Sequence, residues 1–243
     1  MKIISYKYLG NSRYKIKFEE EEHILYEDII LKYSILGKEN IDKKDLEKCL
    51  KENLYFECYY KGINYINKRL RTKLELKKYL NKEYDSKLVN NVLDSLEKDG
   101  YLNEDVYTSS YIHDQINLKM VGPLKIKKDL EDLGISNDII NKHIESYTKE
   151  DQNLKIKKII EKEVKLNKNK SSIMLKNKIL KSLIEKGFYN EDILEILECY
   201  SFDDKDIYKK EYEKLYNKLS KKYSGKQLEY KIKEKMYQKG FRA

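Results

Sequence analysis

Side chains suited to metal binding or nucleophilic catalysis are few and scattered in this sequence. The chain contains three cysteines and three histidines, Cys49, Cys58, Cys199, His23, His113 and His143. The cysteines form no Cys-x-x-Cys pair, and no histidine lies four residues from another histidine or cysteine, so no zinc-binding spacing is present. The sequence also lacks a glycine-rich phosphate loop and any spacing typical of a Ser-His-Asp or Cys-His site. We therefore expect a non-enzymatic protein without catalytic residues, metal ligands or cofactors.

The cysteines and the apolar segments also bear on the compartment in which the chain works. An odd number of irregularly spaced cysteines favours a reducing environment. No apolar run approaches the length of a transmembrane helix, and the N-terminus lacks the hydrophobic block of a secretion signal. We therefore expect a cytoplasmic protein that does not contact a membrane.

Basic residues, most of them lysine, outnumber acidic residues in this sequence. The net charge is +9. Residues 154–186 contain eleven lysines and three acidic residues, whereas residues 205–243 contain thirteen basic and five acidic residues, so each segment carries +8. This asymmetry predicts an anionic partner, either nucleic acid or an acidic protein surface. The alternative, left open by composition alone, is that lysine simply fills solvent-facing helix positions.

The stretch from Lys119 to Ile135 is predicted to form one complete helix with marked ends. Pro123, the only proline in the chain, suits a first helical turn because its missing N–H would have no intrahelical partner there. Gly122 before it gives the chain room to turn, and Gly134 ends the helix because glycine adopts the left-handed conformation at little cost. The apolar residues between these ends fall on one face, namely Ile126, Leu130 and Leu133.

The same pattern recurs at intervals of 53 residues. Ile126, Leu130, Gly134 and Ile135 are followed by Ile179, Leu183, Gly187 and Phe188, and then by Ile232, Met236, Gly240 and Phe241. A backward shift of 50 residues places Leu80 on Leu130, without a glycine to match Gly134. A unit of about fifty residues is the length of a few stacked helices, so the pattern predicts a helical repeat protein.

The N-terminal segment has a different periodicity. Apolar and polar residues alternate with period two on both sides of Gly10-Asn11-Ser12, which predicts a β-hairpin, and residues 23–26 are expected to add a third strand. The predicted fold is mainly α, an elongated array of tandem three-helix repeats with the last one truncated, preceded by a small β-hairpin and helix module. The predicted boundaries are 1–57 for the N-terminal module, with helices at 28–34 and 43–57, then 58–102, 103–150 and 151–202 for the three repeats, and 203–243 for the truncated repeat.

Several polar residues are predicted to cap helices of these repeats. Thr72 and Glu75 have the spacing of a capping box, in which each side chain bonds a backbone N–H at the helix start. Asp85 or Ser86 is expected to cap the next helix. Asn103 and Asn190 are predicted caps further along the chain, at the start of the second repeat and in the third.

In this order, these motifs resemble the RecX regulatory proteins of bacteria, which modulate the RecA recombinase. The segment from Arg69 to Leu76 is similar to the Arg-x-Arg-Ser-x-x-Glu-Leu segment of that family. The resemblance continues through residues 96–104, 107–111 and 122–135, and through the Lys-Gly-Phe sequences that end at Phe188 and Phe241. It covers about residues 58 to 241, and residues 26–33 resemble the N-terminal extension of low-GC Gram-positive members.

The resemblance implies a monomeric helical array that lies in the groove of a RecA filament on DNA and suppresses ATP hydrolysis, strand exchange and coprotease activity. Candidate contacts to the filament are Arg69, Arg71, Tyr111, Lys119, Lys125, Lys127, Lys128, Lys176 and Lys178. For Arg69 and Arg71, ion pairing within the repeat is the competing interpretation. Two alternatives for the whole chain stay open, namely direct binding of DNA by the basic C-terminal repeats and a scaffold for some other partner.

Overall fold

The computed structural model of the chain describes residues 1–242 and confirms a mainly α fold with a small N-terminal sheet. Ala243, at the end of the predicted fourth repeat, lies outside the described residues. In chain order, the strands and helices are β1 Ile3–Gly10, β2 Arg13–Phe18, β3 Glu22–Tyr26, α1 Glu27–Lys32, α2 Lys43–Ile66, α3 Lys73–Leu80, α4 Ser86–Lys98, α5 Glu104–Leu118, α6 Pro123–Asp132, α7 Asn137–Ile144, α8 Lys149–Leu166, α9 Ser172–Glu185, α10 Asn190–Glu198, α11 Lys205–Leu219 and α12 Gly225–Gln238.

The predicted hairpin and third strand are confirmed as an antiparallel sheet in the order β1-β2-β3. Asn11 and Ser12 both have positive φ, 52° and 54°, as a tight turn between twisted strands requires. One face of the sheet buries Ile16, Phe18 and Leu25 in a core that α1 and the first half of α2 complete. A covered face of this kind stabilises a sheet too small to be stable alone.

Helix α2 corrects one prediction, because a single helix of 24 residues replaces the two helices expected on either side of residue 57. The Asn53 side chain ties its first half to β3, accepting from Tyr26 N at 2.9 Å and donating to Ile24 O at 3.0 Å. Its second half packs on α3 and α4, with Gly62 against the Leu96 side chain. Residues 55–60 contain no glycine or proline that would end a helix, so the helix runs through the predicted boundary.

The chain separates into two compact units, Met1–Tyr107 and a second unit that begins at Thr108. The division falls within α5. In the first unit, α2, α3 and α4 pack together, whereas in the second α8, α9 and α10 form another mutually packed set and α11 packs on α12. The division into repeats at residues 102/103, 150/151 and 202/203 stays a prediction.

The recurring glycine-ended helices are confirmed. Gly134, Gly187 and Gly240 have φ of 85°, 83° and 77°. After each glycine, the backbone N–H bonds back over the last turn, from Ile135 to Leu130, Phe188 to Leu183 and Phe241 to Met236, at 3.0–3.2 Å. These six apolar residues are all buried, so the same helix ending closes α6, α9 and α12 against their cores.

The helix starts agree with the predicted caps at three positions, whereas Asp42, the predicted cap of the helix from Lys43, occupies the N-cap position of α2 without a side-chain hydrogen bond. Thr72 and Glu75 form the complete capping box, Asp85 accepts from Lys87 N and Leu88 N, and Asn103 accepts from Val106 N. Asn190 was predicted to be a cap, but it is the first helical residue of α10, and the cap position belongs to Tyr189 without a side-chain hydrogen bond. Asn190 and Glu191 begin a helix whose next residue, Asp192, instead pairs with Lys149.

The three cysteines are expected to differ in reactivity. Burial raises the pKa of the Cys49 and Cys58 thiols to about 11, whereas Cys199 is exposed. Because the thiolate is the reactive form, an aromatic disulfide reagent at neutral pH should titrate one thiol rapidly and the other two only after unfolding in guanidinium. Cys199→Ser should remove the rapid reaction. A second rapid thiol in the native wild-type chain would contradict this assignment.

Candidate partner-binding surface

The predicted surface residues on α6 are held in place by an end-to-end contact between α6 and α9. At this contact, Gly122 N donates to Lys186 O at 2.8 Å and Leu124 N donates to Gly187 O at 3.0 Å. Two N–H groups at the start of α6, which have no partner within that helix, therefore bond carbonyls at the end of α9. A Cβ atom on Gly122 would lie 2.3 Å from Gly187 O, so glycine is required for this approach.

A second contact of the same kind joins α9 to α12. Here Ser171, the N-cap of α9, donates its hydroxyl to Lys239 O at 2.7 Å and also accepts from Met174 N. A Cβ on Gly240 would lie 2.7 Å from that hydroxyl oxygen. The start of α6 thus meets the end of α9, and the start of α9 meets the end of α12. At each contact a glycine lies at the helix end, Gly187 after α9 and Gly240 after α12.

A buried lysine fixes α8 against the end of α5. The Lys155 amine donates to Lys119 O at 2.8 Å and to Gln115 O at 3.4 Å, and it lies 4.9 Å from the centre of the Tyr147 ring. A cation is favourable at these carbonyls because they end a helix, although burial lowers the pKa of the Lys155 amine below its ordinary value. Lys155 therefore serves packing and leaves the other α8 lysines to face solvent.

Arg69 and Arg71 are engaged inside the first unit. Arg69 Nη2 lies 2.7 Å and Arg71 Nη1 3.3 Å from the same Glu75 carboxylate oxygen. The Arg71 guanidinium also stacks 4.1 Å from the Tyr65 ring centre, and that ring stacks on Tyr79. Arg71 is thus largely enclosed, whereas the Arg69 side chain stays 55% exposed and keeps donors available to a partner.

Glu75 should be important for stability, because its half-buried side chain completes the capping box and pairs with both arginines. Glu75→Ala is expected to lower the free energy of unfolding by about 1–2 kcal/mol, the usual cost of losing a helix cap. Glu75→Gln should cost less, about 0.5 kcal/mol, because glutamine keeps the cap and loses only the charge. Urea unfolding of both variants distinguishes these effects, and equal losses would contradict the capping role.

The predicted contacts around α6 are partly engaged within the second unit. Lys125 pairs with Asp129 at 2.8 Å, and Lys127 donates to Asn141 at 2.8 Å. Tyr111 contacts the same Asp129 carboxylate at 3.5 Å. Lys119 and Lys128 are exposed, and neither has an ion pair within the described part of the chain. Of the five predicted residues here, these two lysines are therefore the ones whose charge is fully available.

Two further predicted contacts lie on α9. Lys178 pairs with Glu163 at 3.1 Å and donates to Asn167 at 2.8 Å, so it joins α9 to the end of α8. The Lys176 amine lies 5.3 Å from the centre of the Phe202 ring. Both side chains remain exposed, but Lys178 has an internal role that accounts for its position.

Helix α8 carries a basic surface that was not among the predicted contacts. Its exposed lysines lie opposite the buried residues Ile156, Ile159 and Ile160. The α8 lysine strip is defined as Lys157, Lys158, Lys162 and Lys165. None of the four has an ion pair with any residue in 1–242, and Glu161 is the one acidic residue exposed among them. A helical projection of residues 149–166 would have revealed the strip from the sequence.

Within residues 1–242, no three His, Cys, Asp or Glu side chains are placed to share a metal ion. Within the same residues, no helix has the length and apolar character needed to cross a bilayer.

Comparisons with known proteins place this chain in a family. No protein-family model matches it. A protein of Bacillus cereus (strain AH820) named regulatory protein RecX is 32% identical over 229 residues, which cover 92% of this chain and 84% of that protein. The chain belongs to the RecX family. A RecX protein of Listeria monocytogenes is 28% identical over 77% of this chain and 71% of its own length.

Solved RecX structures agree in fold. A crystal structure of regulatory protein RecX superimposes with a TM-score of 0.71 at 21% identity, covering 81% of this chain and 98% of that one. RecX from Lactobacillus salivarius superimposes with a TM-score of 0.55 at 27% identity, covering 59% of this chain and 94% of that one. The family resemblance stated from the sequence motifs is therefore confirmed.

Proposed function

We propose that this RecX-family chain binds the RecA filament in its groove and inhibits ATP hydrolysis, strand exchange and coprotease activity without being an enzyme. The observation that supports this most is the α8 lysine strip, a set of exposed, unpaired cations in a chain whose relatives are named regulatory proteins. The proposal places the chain in the cytoplasm as a monomer, with the RecA filament as its partner and no membrane contact.

The charge and the repeats suit a regulator that acts by occupying a surface. Stacked helices present one continuous face, and a row of lysines on that face can match several acidic groups at once. Exposed charges of this kind raise association rates and set orientation, while apolar contacts supply most of the affinity. Lys119 and Lys128, which are exposed in the same unit as α8, are candidates to add to such a contact, and Arg69 is a separate candidate contact on the first unit.

The proposal is tested by adding purified chain to RecA on single-stranded DNA at concentrations below that of RecA. We expect DNA-dependent ATPase and strand exchange to fall, because one bound regulator affects neighbouring subunits of a filament. ATPase and strand-exchange rates that stay unchanged across the titration would rule the proposal out.

Charge reversal of Lys125, Lys127 and Lys128 tests whether the α6 face takes part in filament binding. Since Lys125 and Lys127 are engaged internally, we expect a small loss of inhibition, carried mainly by Lys128. The single variant Lys128→Glu is the matched comparison. Unchanged inhibition in both variants would exclude the α6 face as a contact.

Direct binding of single-stranded DNA is the second candidate. Tyr230 and Tyr237 lie seven residues apart on α12, and Tyr223 lies in the turn seven residues before Tyr230; the three are 36%, 68% and 68% exposed in chain order, with Lys226 and Lys233 between them. Exposed aromatic rings can stack on bases while lysines contact phosphates. DNA affinity that falls steeply with salt, and that falls again in Tyr230→Ala, would favour this function over filament binding.

A further inference from the structure

Helix α2 carries a small pocket at the point where it passes from one core to the next. Phe56 packs against the core beneath the N-terminal sheet, whereas Tyr55 and Tyr59 pack against the core that α2 shares with α3 and α4. The rings of these three residues and of Tyr60 line a pocket of about 340 Å³, which residues of α1 and of the end of α4 complete. All of these residues belong to the first unit, so the shape of the pocket does not depend on the second.

Two tyrosine hydroxyls hold two aspartates at this pocket. Tyr59 donates to Asp99 Oδ2 at 2.5 Å, and Tyr60 donates to Asp28 Oδ2 at 3.0 Å. Burial and the hydrogen bond to Asp28 raise the pKa of the Tyr60 hydroxyl to about 12, and burial and Asp99 raise the pKa of Tyr59 as well, so both hydroxyls stay protonated donors at neutral pH. Each carboxylate therefore has one oxygen fixed, while its other oxygen accepts no hydrogen bond within residues 1–242.

The carboxylates and rings of this pocket have no cationic partner in the part of the chain that the structure describes. Neither Asp28 nor Asp99 forms an ion pair there. No lysine or arginine of that part stacks on the four half-buried rings, although the Arg71 guanidinium lies 4.1 Å from the ring of Tyr65 on the same helix α2. Lys98 lines the pocket, yet it is exposed and pairs with neither carboxylate. Carboxylate oxygens and aromatic faces both favour a positive charge, so the pocket suits a cation from outside the chain.

We propose that the pocket between Asp28 and Asp99 binds an arginine side chain of a partner protein. A guanidinium is planar and carries a fork of N–H donors, so it can bond the free carboxylate oxygens while it stacks on a tyrosine ring. The lysine ammonium is a more strongly hydrated point charge and gains less from the rings. The same carboxylates repel phosphate, so the pocket is not suited to nucleic acid. This site is separate from the α8 lysine strip and does not depend on RecA being the partner.

Capped arginine, N-acetylarginine amide, is the probe for the full chain, and capped citrulline is its uncharged counterpart of nearly the same shape. When the chain is labelled with ¹³C-tyrosine, NMR titration with capped arginine should shift the ring signals of Tyr59 and Tyr60, which Tyr59→Phe and Tyr60→Phe assign. The shifts should saturate with a Kd in the millimolar range, as one or two ion pairs allow. Capped citrulline should give no saturable shift, and capped lysine should bind more weakly than arginine.

Asp28→Asn and Asp99→Asn should each raise the Kd for capped arginine about fivefold, the effect of one partly exposed ion pair. Asparagine keeps an oxygen that can accept from the tyrosine hydroxyl, so both variants are expected to fold, which thermal unfolding checks. Glu47→Gln is the matched control, because it removes the same charge from α2 at an exposed position that has no ion pair within residues 1–242. It should leave the Kd unchanged.

The proposal is overturned if binding of capped arginine does not saturate, or if capped citrulline or capped lysine binds as tightly. It is also overturned if Glu47→Gln weakens binding as much as the two aspartate variants, since net charge would then account for the attraction. Dissociation of a wild-type dimer by Asp99→Asn, measured by analytical ultracentrifugation, would overturn it as well, because the occupant would then be a basic residue of a second copy of this chain.

Discussion

Gly187→Ala is expected to lower the free energy of unfolding of the second unit by about 3–5 kcal/mol, the range of severe single-residue changes. Gly187 has φ of 83°, and an alanine Cβ there would lie 2.3 Å from Lys125 N and 2.9 Å from its Cα. Both are backbone atoms of α6, so the clash cannot be relieved by moving one side chain. The end-to-end contact of α9 with α6 would open, and the hydrogen bonds to Gly122 N and Leu124 N would be lost.

Two control variants separate the contact from the backbone conformation. Gly100→Ala imposes the same left-handed strain, at φ of 80°, but its Cβ would meet nothing within 4 Å, so we expect a loss of about 1 kcal/mol. Gly122→Ala has an ordinary φ of −92°, yet its Cβ would lie 2.3 Å from Gly187 O, so its loss should approach that of Gly187→Ala. Urea unfolding measures all three, and equal losses at Gly100 and Gly187 would contradict the end-to-end contact.

Reversing the α8 lysine strip, with glutamate at Lys157, Lys158, Lys162 and Lys165, is expected to raise the concentration needed for half-inhibition of RecA ATPase by about tenfold or more. The four side chains are exposed and form no internal ion pair, so their replacement removes charge without removing a contact that holds the fold. Like charges placed against an acidic surface are repelled, which lowers both association rate and affinity.

The matched control makes the same change in total charge on α11 and the turn after it, with glutamate at Lys209, Lys210, Lys218 and Lys222, all of which are exposed. Inhibition by this control should decline much less than inhibition by the α8 variant. Equal declines would mean that net charge, and not the position of the strip, determines binding. Thermal unfolding of both variants establishes that each is folded at the assay temperature.

Features set by local chemistry could be predicted from the sequence. The capping box at Thr72 and Glu75, the Asn103 cap and the helix endings at Gly134, Gly187 and Gly240 each depend on a few neighbouring residues, and the structure confirms them. The repeat interval of 53 residues could be predicted from the same endings, because the glycine and its apolar neighbours recur at that spacing. The family resemblance was visible for that reason.

Features that depend on distant residues were missed. Gly122 was predicted to give the chain room to turn, but its role is to let the Gly187 carbonyl approach, 65 positions along the chain. The continuity of α2 through residue 57 was also missed, because a change of packing partner leaves no local mark in a helix. Lys125 and Asp129 lie four residues apart on one helix, so their ion pair could be predicted from the sequence. The ion pair of Lys178 with Glu163 could not, because it depends on how α8 packs against α9.

Inhibition of RecA ATPase on single-stranded DNA, titrated with this chain at about 50 mM and about 200 mM salt, tests the central claim most directly, because salt weakens phosphate contacts far more than a mixed protein interface. Filament binding predicts that inhibition saturates below one chain per RecA subunit at both salt concentrations, with a moderate rise in the half-inhibitory concentration. ATPase that is unaffected at either salt concentration would contradict the account. So would inhibition that disappears at the higher salt and follows the fraction of DNA covered by the chain.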